Sequence, residues 1–345
     1  MNPIERSAGI RKIETLDLKQ RMIASKTFEG WNTIPHIAGE IRPNVTHFLN
    51  LLEEYKKIRA EKYPNLPKIT INNVILKIIA SGIQKAPHLN SILEYDKKSE
   101  GGNLKILDKV NITIPVMINE LETTTLVVPD VLNKTVDEIS LYVMELKRKL
   151  KNTDLNELSL QTARLDTINK VKKGQFGLLN RIIRAKIGAH KIKEMSRSER
   201  KIYYSIPESD WLQPSDINTG SIVVTNLGSV FRDISGEVSL IDIIPSNTFA
   251  VGLNAVRKVP IVETKDGIDT IQIISVLPII YSFDHRSFDF GHVIPFLKEI
   301  NRILTNPIGF FESEFSDFQD HLKINKIYQE TLLYASGNEK LLEMN

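Results

Sequence analysis

The spacing of apolar residues changes twice along this chain of 345 residues, and that change constrains the fold more than any other feature. Apolar side chains recur every three or four residues over 44–62 and 70–86, which predicts amphipathic helices. From Val110 to Ile118 a β-branched apolar residue stands at every second position, which predicts a half-buried strand. Further strands and a closing helix follow. The order of elements therefore predicts an α+β fold with helices packed on a mixed sheet.

The remaining elements are predicted from the same two periods and from local signals. Thr135 and Glu138 have the spacing of a capping box and predict a helix over 135–150. Asp266-Gly267 predicts the turn of a hairpin. The polar stretch 151–176 predicts a loop or an insertion, followed by a basic amphipathic helix over 177–195. The other predicted helices span 14–30 and 293–304, and the other predicted strands span 126–129, 221–225, 248–253, 259–264 and 271–283.

Composition excludes several classes of protein and site. The chain has no cysteine, which excludes disulfides, thiolate zinc sites, iron–sulfur clusters and a cysteine nucleophile. The first 20 residues lack the apolar segment of a secretory signal. No stretch reaches the roughly 18 consecutive apolar residues of a membrane-spanning helix. We therefore expect a cytoplasmic protein.

Two oppositely charged segments are concealed by a net charge of only +3. Residues 170–201 contain eleven Lys and Arg against two Glu, and residues 308–345 contain seven acidic residues against three Lys. We expect these segments to concern assembly or location, not nucleic-acid binding. The helix over 177–195 packs within a trimer of this chain, pairs with the acidic C-terminal segment, or contacts a membrane surface or a partner.

A polar cluster after the predicted strand 271–283 is the strongest candidate for reactive chemistry. An unperturbed histidine has a pKa near 6.5, so His285 is a candidate general base, and Asp289, four residues on, is placed to support it. The residues alone leave a second interpretation open, in which His285 is structural and Asp284 and Arg286 form an ion pair. None of the six other histidines has a comparable setting.

Five motifs occur in one order along the chain and carry a resemblance to a known family. Residues 282–289 (SFDHRSFD) resemble the D-H-R-x-x-D-G signature of the 2-oxo acid dehydrogenase dihydrolipoamide acyltransferases, the E2 components. The other four are 20–26 (QRMIASK), 33–36 (TIPH), 126–129 (LVVP) and 225–229 (TNLGS), which resemble R-R-M-x-x-S-K, I-P-H, G-L-V-V-P and S-N-x-G-S. The collinear set extends over about 9–307 and favours the catalytic interpretation of His285.

The resemblance implies a fold, an assembly and roles for three residues. The fold is that of the CoA-dependent acyltransferases, which include chloramphenicol acetyltransferase, and the working unit is a homotrimer with active sites at subunit boundaries. His285 is implied as the general base, which a thiol acceptor needs because its pKa of about 8.5 leaves little thiolate at pH 7. Thr225 is implied as the oxyanion donor from the neighbouring subunit, and Asp289 as the support of His285. Acyl-CoA is implied as a substrate, without a metal or a bound cofactor.

The chain departs from the family pattern at Phe290, which stands where the family has the glycine after the aspartate. Because glycine usually permits a tight turn or a close approach, we expect the ring to redirect the helix start, shift Asp289 or narrow the channel. A second departure is that no lipoyl domain is apparent. We therefore expect no lipoyl lysine in this chain, and either dihydrolipoamide on a separate chain or another acceptor.

These observations predict a stand-alone E2-like acyltransferase that moves an acyl group between CoA and a thiol, hydroxyl or amine acceptor. The alternative is an E2-like core or scaffold protein that has lost this chemistry, which Phe290 favours. We divide the chain into a catalytic domain at 1–310, with an insertion at about 151–212, and an acidic C-terminal extension at 311–345.

Overall fold

The computed structural model describes residues 7–16, 18–119, 122–172, 195–231, 234 and 236–315. The helices of these residues are α1 (Leu18–Thr33), α2 (Thr46–Lys62), α3 (Ile71–Lys85), α4 (Val136–Lys151), α5 (Leu155–Lys172), α6 (Arg197–Tyr203), α7 (Ser215–Asn218), α8 (Phe290–Thr305) and α9 (Ile308–Glu314). The strands are β1 (His36–Ile41), β2 (Ser91–Asp96), β3 (Gly101–Ile106), β4 (Ile112–Met117), β5 (Thr123–Val128), β6 (Ile222–Asn226), β7 (Phe249–Leu253), β8 (Arg257–Lys265), β9 (Ile268–Val276) and β10 (Ile279–Asp284).

Six strands form one mixed sheet in the order β1-β10-β7-β6-β4-β5. Strand β6 runs parallel to β4 and β7, and the other neighbours in this sheet are antiparallel. The other four strands form two separate hairpins, β2–β3 and β8–β9. The α+β class with a mixed sheet is confirmed.

The large buried core lies on the helix-covered face of the sheet. Tyr281 and Phe283 of β10 belong to the same buried apolar cluster as the inner residues of α3 and α8. Helix α3 is apolar on most sides and packs along α8. This close approach requires Gly82, because a Cβ atom there would lie 2.8 Å from Cδ2 of Phe296.

The opposite face of the sheet carries smaller side chains and is less completely covered. Side chains alternate along a strand, so Ser282, Ala250 and Thr225 lie on this second face. Ile34 and Ile243 pack there against Ala250. Thr225 remains partly exposed. The second face is therefore open near the end of β6.

Local signals predicted several elements correctly. The capping box is present, with the Glu138 N–H donating to Thr135 Oγ1 at 3.2 Å and the Thr135 N–H donating to Glu138 Oε2 at 2.8 Å. Asp266 and Gly267 form the turn between β8 and β9 with φ angles of 53° and 78°. A turn with two positive φ angles matches the twist of the strands that it joins.

Two predicted elements were wrong. The continuous strand over 271–283 is in fact divided, because β9 ends at Val276 in a hairpin and β10 begins at Ile279 in the main sheet. The loop predicted over 151–176 is largely helix α5, and the Asp154 carboxylate accepts the backbone N–H groups of Asn156 and Glu157 at its start. Strands β1, β2 and β3 were not predicted.

Several predictions about the charged segments fall outside the described residues. The predicted basic helix over 177–195 lies there except for residue 195, as does the acidic segment after residue 315. Core packing continues through α9 and the residue after it, since Phe310, Phe311 and Phe315 are all buried. None of the described helices is long and apolar enough to cross a bilayer.

Candidate active site

The turn between β10 and α8 is fixed by backbone hydrogen bonds to two other parts of the chain. The Asp284 N–H donates to the Thr248 carbonyl at 2.9 Å, and the His285 N–H donates to the Pro35 carbonyl at 3.0 Å. The Ser287 N–H donates back to the Asp284 carbonyl at 2.9 Å and closes the turn. The backbone of Asp284 and His285 is therefore held by Thr248, which precedes β7, and by Pro35, which precedes β1.

Asp284 and Arg286 form the ion pair that the structural interpretation of this cluster predicted. The Asp284 carboxylate is buried, with 1% of its side chain exposed, whereas the Arg286 side chain is 30% exposed. Arg286 donates to it from Nε at 2.9 Å, from Nη2 at 2.6 Å and from the backbone N–H at 3.0 Å. The Asp284 carboxylate therefore binds Arg286. The imidazole of His285, which stands between these two residues in the sequence, has a different partner.

The His285 side chain is 44% exposed, and its two ring nitrogens have different environments. Nδ1 lies 2.9 Å from the Phe288 carbonyl oxygen, which can only accept a hydrogen bond. This contact assigns the proton of a neutral imidazole to Nδ1 and makes Nε2 the basic nitrogen. This orientation is the one that a general base requires. Asp284 and Arg286, in contrast, form an ion pair within the turn.

Asp289 lies close to the base without forming a hydrogen bond to it. Its Oδ1 is 3.7 Å from Nδ1 of His285, which is beyond hydrogen-bond distance but short for an electrostatic interaction. Asp289 is the N-cap residue of α8, and its N–H donates to Nδ1 of His292 at 3.3 Å. Its side chain is 82% exposed, so solvent weakens the interaction with His285.

Phe290 is the first residue of α8, so the helix begins directly after Asp289. Its side chain is 50% exposed, and its ring meets the buried ring of Phe283 edge to face with 5.4 Å between centroids. A Cβ atom at the following residue, Gly291, would meet no atom within 4 Å. Gly291 is therefore not required by close packing, and Phe290 occupies the first position of the helix.

Thr225 is not brought to His285 within one chain. It pairs with Gly252 of β7, which in turn pairs with Ile280 of β10. Ile280 precedes His285 by five residues, so the two candidates are separated by about 16 Å along the strands, in addition to two strand spacings of about 4.8 Å each. They lie toward opposite ends of the strands of the main sheet.

His36 makes three contacts that were not predicted from the sequence. Its Nδ1 lies 2.8 Å from the Ile34 carbonyl, its Nε2 accepts the Ile243 N–H at 2.8 Å, and its ring stacks on Trp31 at 4.9 Å between centroids. These contacts hold the segment that contains Pro35, whose carbonyl accepts the His285 N–H. The 33–36 motif was the available signal, but the sequence alone does not show what its histidine contacts.

The described ranges contain no group of three or more His, Cys, Asp or Glu side chains placed to hold a metal ion. The arrangement consists of an oriented imidazole, a nearby carboxylate and a buried ion pair, and it can accept a proton from a bound nucleophile.

The family model for "2-oxoacid dehydrogenases acyltransferase (catalytic domain)" matches residues 10–181 and 185–312. The chain belongs to this family. A relative, the dihydrolipoyllysine-residue acetyltransferase component of the pyruvate dehydrogenase complex of Rickettsia prowazekii, is 27% identical over 161 residues, covering 47% of this chain and 36% of that protein. The same component of Buchnera aphidicola subsp. Schizaphis graminum is 24% identical over 288 residues, covering 83% of this chain and 54% of that protein. The family member described here therefore spans about a third to a half of the length of these relatives.

Solved structures of the family establish the fold. The cubic core of the pyruvate dehydrogenase multienzyme complex superimposes with a TM-score of 0.58 at 16% identity, covering 88% of this chain and 96% of that chain. Dihydrolipoamide acetyltransferase of Azotobacter vinelandii superimposes with a TM-score of 0.58 at 17% identity and the same coverage, in a study of the catalytic roles of a serine, a histidine and an asparagine. The acyltransferase fold implied by the motifs is confirmed.

Proposed function

We propose that this chain transfers an acyl group between CoA and a thiol, hydroxyl or amine acceptor, with His285 as the general base. The orientation of the imidazole carries the proposal, because Nδ1 is occupied by the Phe288 carbonyl and Nε2 is left as the proton acceptor. Nε2 takes the proton of the acceptor as its nucleophilic atom attacks the thioester carbonyl. The tetrahedral intermediate then expels CoA as a thiolate, which takes the proton back from the imidazolium.

Asp289 stabilises the imidazolium that forms during this reaction. Its carboxylate lies 3.7 Å from Nδ1 and carries the opposite charge. In the Azotobacter vinelandii enzyme the histidine and the asparagine that were investigated are four positions apart, which is also the spacing of His285 and Asp289. The high exposure of Asp289 weakens its electrostatic stabilisation of the imidazolium, so we assign most of the rate acceleration to His285.

Thr225 serves the site of a neighbouring copy. Attack on the thioester creates an oxyanion, and a hydroxyl donor aimed at it is typically worth on the order of 10²–10³ in rate. Thr225 lies too far from His285 in its own chain to act there, but it is partly exposed on the open second face of the sheet. The proposed assembly is a cyclic homotrimer in which the Thr225 of each chain lies beside the His285 of the next.

Exposed apolar surface supports such an assembly. The β8–β9 hairpin exposes a row of apolar side chains, including Val262 at 66%, Ile271 at 76% and Ile273 at 72%. Phe28 on α1 is 72% exposed and lies on an apolar face of that helix with Ile23 and Trp31. Apolar patches of this kind mark contact surfaces in soluble proteins.

The general base is tested by measuring the formation of acetylated dihydrolipoamide from acetyl-CoA with the purified protein. We expect H285A to lower kcat/KM about 10²–10⁴-fold. The control is Y95A, since Tyr95 is an exposed side chain on the β2–β3 hairpin. A rate that survives H285A would refute the assignment. If the protein transfers acetyl groups to no acceptor and still forms trimers, the scaffold alternative is favoured.

The shared site is tested by co-expressing H285A and T225A chains that carry different tags. In an assembly of mixed chains, about a quarter of the sites contain both native side chains, because each site takes its histidine from one chain and its threonine from the next. Activity of the mixture above that of either variant alone supports the shared site. If the mixture has only the average activity of the two separate variants, both residues act within one chain. Light scattering provides the mass, about 118 kDa for three chains of 39.2 kDa.

A further inference from the structure

His292 is the third residue of α8 and accepts a hydrogen bond from the residue that caps this helix. The Asp289 N–H donates to Nδ1 of His292 at 3.3 Å. A ring nitrogen accepts a hydrogen bond only while it carries no proton, so this contact requires Nδ1 of His292 to be unprotonated. A capping box usually has Glu or Gln at this position. Histidine differs from both, because an imidazole takes up a proton between about pH 8 and pH 5.

His292 contacts both residues that face Nδ1 of the proposed base. Its ring packs on the buried ring of Phe288 with 6.1 Å between centroids. The Phe288 carbonyl lies 2.9 Å from Nδ1 of His285, and the Asp289 carboxylate lies 3.7 Å from the same nitrogen. His292 thus bonds to the backbone of one of these residues and packs on the side chain of the other. It can therefore influence the base through them.

A proton on His292 would remove the acceptor and add a positive charge to the first turn of α8. The amino-terminal end of a helix already carries a partial positive charge, so a cation is unfavourable there. Two titratable groups face the ring. Asp289 would then have its carboxylate attracted by two histidines instead of one. His88, in the turn Pro87–Leu89, lies 5.6 Å from the ring between centroids, and its own protonation would oppose a second charge.

We propose that neutral His292 is a positioning residue, which holds the start of α8 so that the two groups at Nδ1 of His285 keep their places. This inference rests on the proposed role of His285 as the general base. Acyl transfer would then weaken for two reasons as the pH is lowered. His285 loses its basic nitrogen, and His292 loses the hydrogen bond that keeps the base oriented.

Two substitutions separate this hydrogen bond from the ring. H292Q keeps an acceptor for the N-cap N–H at every pH, whereas H292F keeps an aromatic ring and has no acceptor. Acetyl transfer from acetyl-CoA to dihydrolipoamide is measured at pH 8. H292Q should keep the kcat of the unaltered protein. We expect H292F to lower kcat about 10-fold with little change in KM, which is less than the roughly 10²-fold cost of a 1 Å misplacement because the backbone bonds of the turn remain. An unchanged kcat in H292F would overturn the proposal.

The pH dependence gives a readout that simple packing would not change. Dividing kcat/KM of H292Q by that of the unaltered protein cancels the titration of His285, which both proteins share. This ratio should rise from about one at pH 8 to about fivefold at pH 5.5, where an ordinary histidine is roughly nine-tenths protonated. Adding H88Q to both proteins removes the neighbouring charge and should keep the rise. A ratio that does not change with pH would show that protonation of His292 has no such effect, and the proposal is then wrong.

E138A is a matched control from another helix. Glu138 accepts the N-cap N–H of α4 at 2.8 Å, which is the same type of bond in an element outside the turn. We expect E138A to lower the urea midpoint, as H292F does, and to keep the kcat of the unaltered protein. If E138A lowers kcat by the same factor as H292F, the loss comes from reduced stability and His292 has no positioning role.

Failure of the proposed function can be distinguished from failure of this inference. If the protein acetylates no acceptor, NMR of the ¹⁵N-labelled protein at low temperature and pH 8 follows the proton on Nδ1 of His285, with H285A assigning its signal. Looser contact with the Phe288 carbonyl exposes this proton to exchange with water. A signal that broadens in H292F and stays sharp in H292Q supports positioning even without transfer. Equal signals in the two variants overturn it.

Discussion

The ion pair of Asp284 and Arg286 makes a quantitative prediction, because its two members differ in burial. The Asp284 side chain is 1% exposed and that of Arg286 is 30% exposed. R286A leaves a carboxylate uncompensated in the interior, and removing one partner of a buried pair typically costs about 3–5 kcal/mol. D284A leaves a guanidinium that water can partly reach, so we expect a smaller cost of about 2 kcal/mol.

Urea unfolding at pH 7 and one protein concentration measures these free energies. For an m-value of about 3 kcal/mol/M, R286A should lower the unfolding midpoint by roughly 1 M or more, and D284A by clearly less. In the double variant neither charge is left alone, so its loss should be smaller than the sum of the two single losses. A D284A variant that is as unstable as R286A, or losses that simply add, would refute the view that this pair holds the turn.

The same variants link the turn to catalysis. His285 lies between the two residues, and misplacing a reacting group by about 1 Å typically costs on the order of 10² in rate. We expect D284A to lower kcat/KM for acetyl transfer by that order at temperatures where the variant remains folded. Native activity in a destabilised D284A protein would show that His285 is positioned by its backbone bonds alone.

Three further predictions concern packing, titration and positioning. Burial raises the pKa of Glu314 above its ordinary value of 4.5, and Lys77 at 3.4 Å offsets this in part. The stability that Glu314 contributes is therefore complete below pH 4.5 and is lost as the pH rises through the raised pKa. E314Q should gain unfolding free energy relative to the unaltered protein between pH 4.5 and pH 7, and a constant difference across this range would contradict the shift. G82A should cost about 1–3 kcal/mol in thermal or urea unfolding because its methyl group meets Phe296, and a loss that F296L does not reduce would count against this cause. H36F keeps an aromatic ring but loses the acceptor for a backbone N–H, so it should lower kcat more than H36Q, and equal rates would exclude a positioning role through that hydrogen bond.

Features that depend on neighbouring residues in the sequence were predicted correctly. The Thr135–Glu138 capping box and the Asp266-Gly267 turn each depend on residues within four positions of one another, and the structure contains both. The spacing of His285 and Asp289 likewise predicted their proximity, which is 3.7 Å. Each of these relations is fixed by local backbone geometry.

Features that depend on distant partners could not be predicted in this way. The apolar run over 271–283 looks continuous, but Val276 pairs with Arg257 in a hairpin and Ile279 pairs with Leu253 in the main sheet. Helix α5 was missed because its side chains show little segregation of apolar and polar residues, and one of its buried residues is the acidic Glu157. The separation of Thr225 and His285 follows from strand order, which the sequence pattern does not contain.

The pairing of β1 with β10 determines when during folding the candidate site can form. His36 stands opposite Asp284 across a contact that joins residues about 250 positions apart. Contacts of such high sequence separation form slowly, because a long loop must close before they are made. During synthesis β1 leaves the ribosome early and β10 late, and until then the edge of β7 that pairs with β10 exposes backbone groups that other chains can bind. The Pro35 carbonyl meets the His285 N–H only after this closure, so acyl-transfer activity would report completed closure of the sheet, and incomplete chains would depend on chaperones to protect that edge.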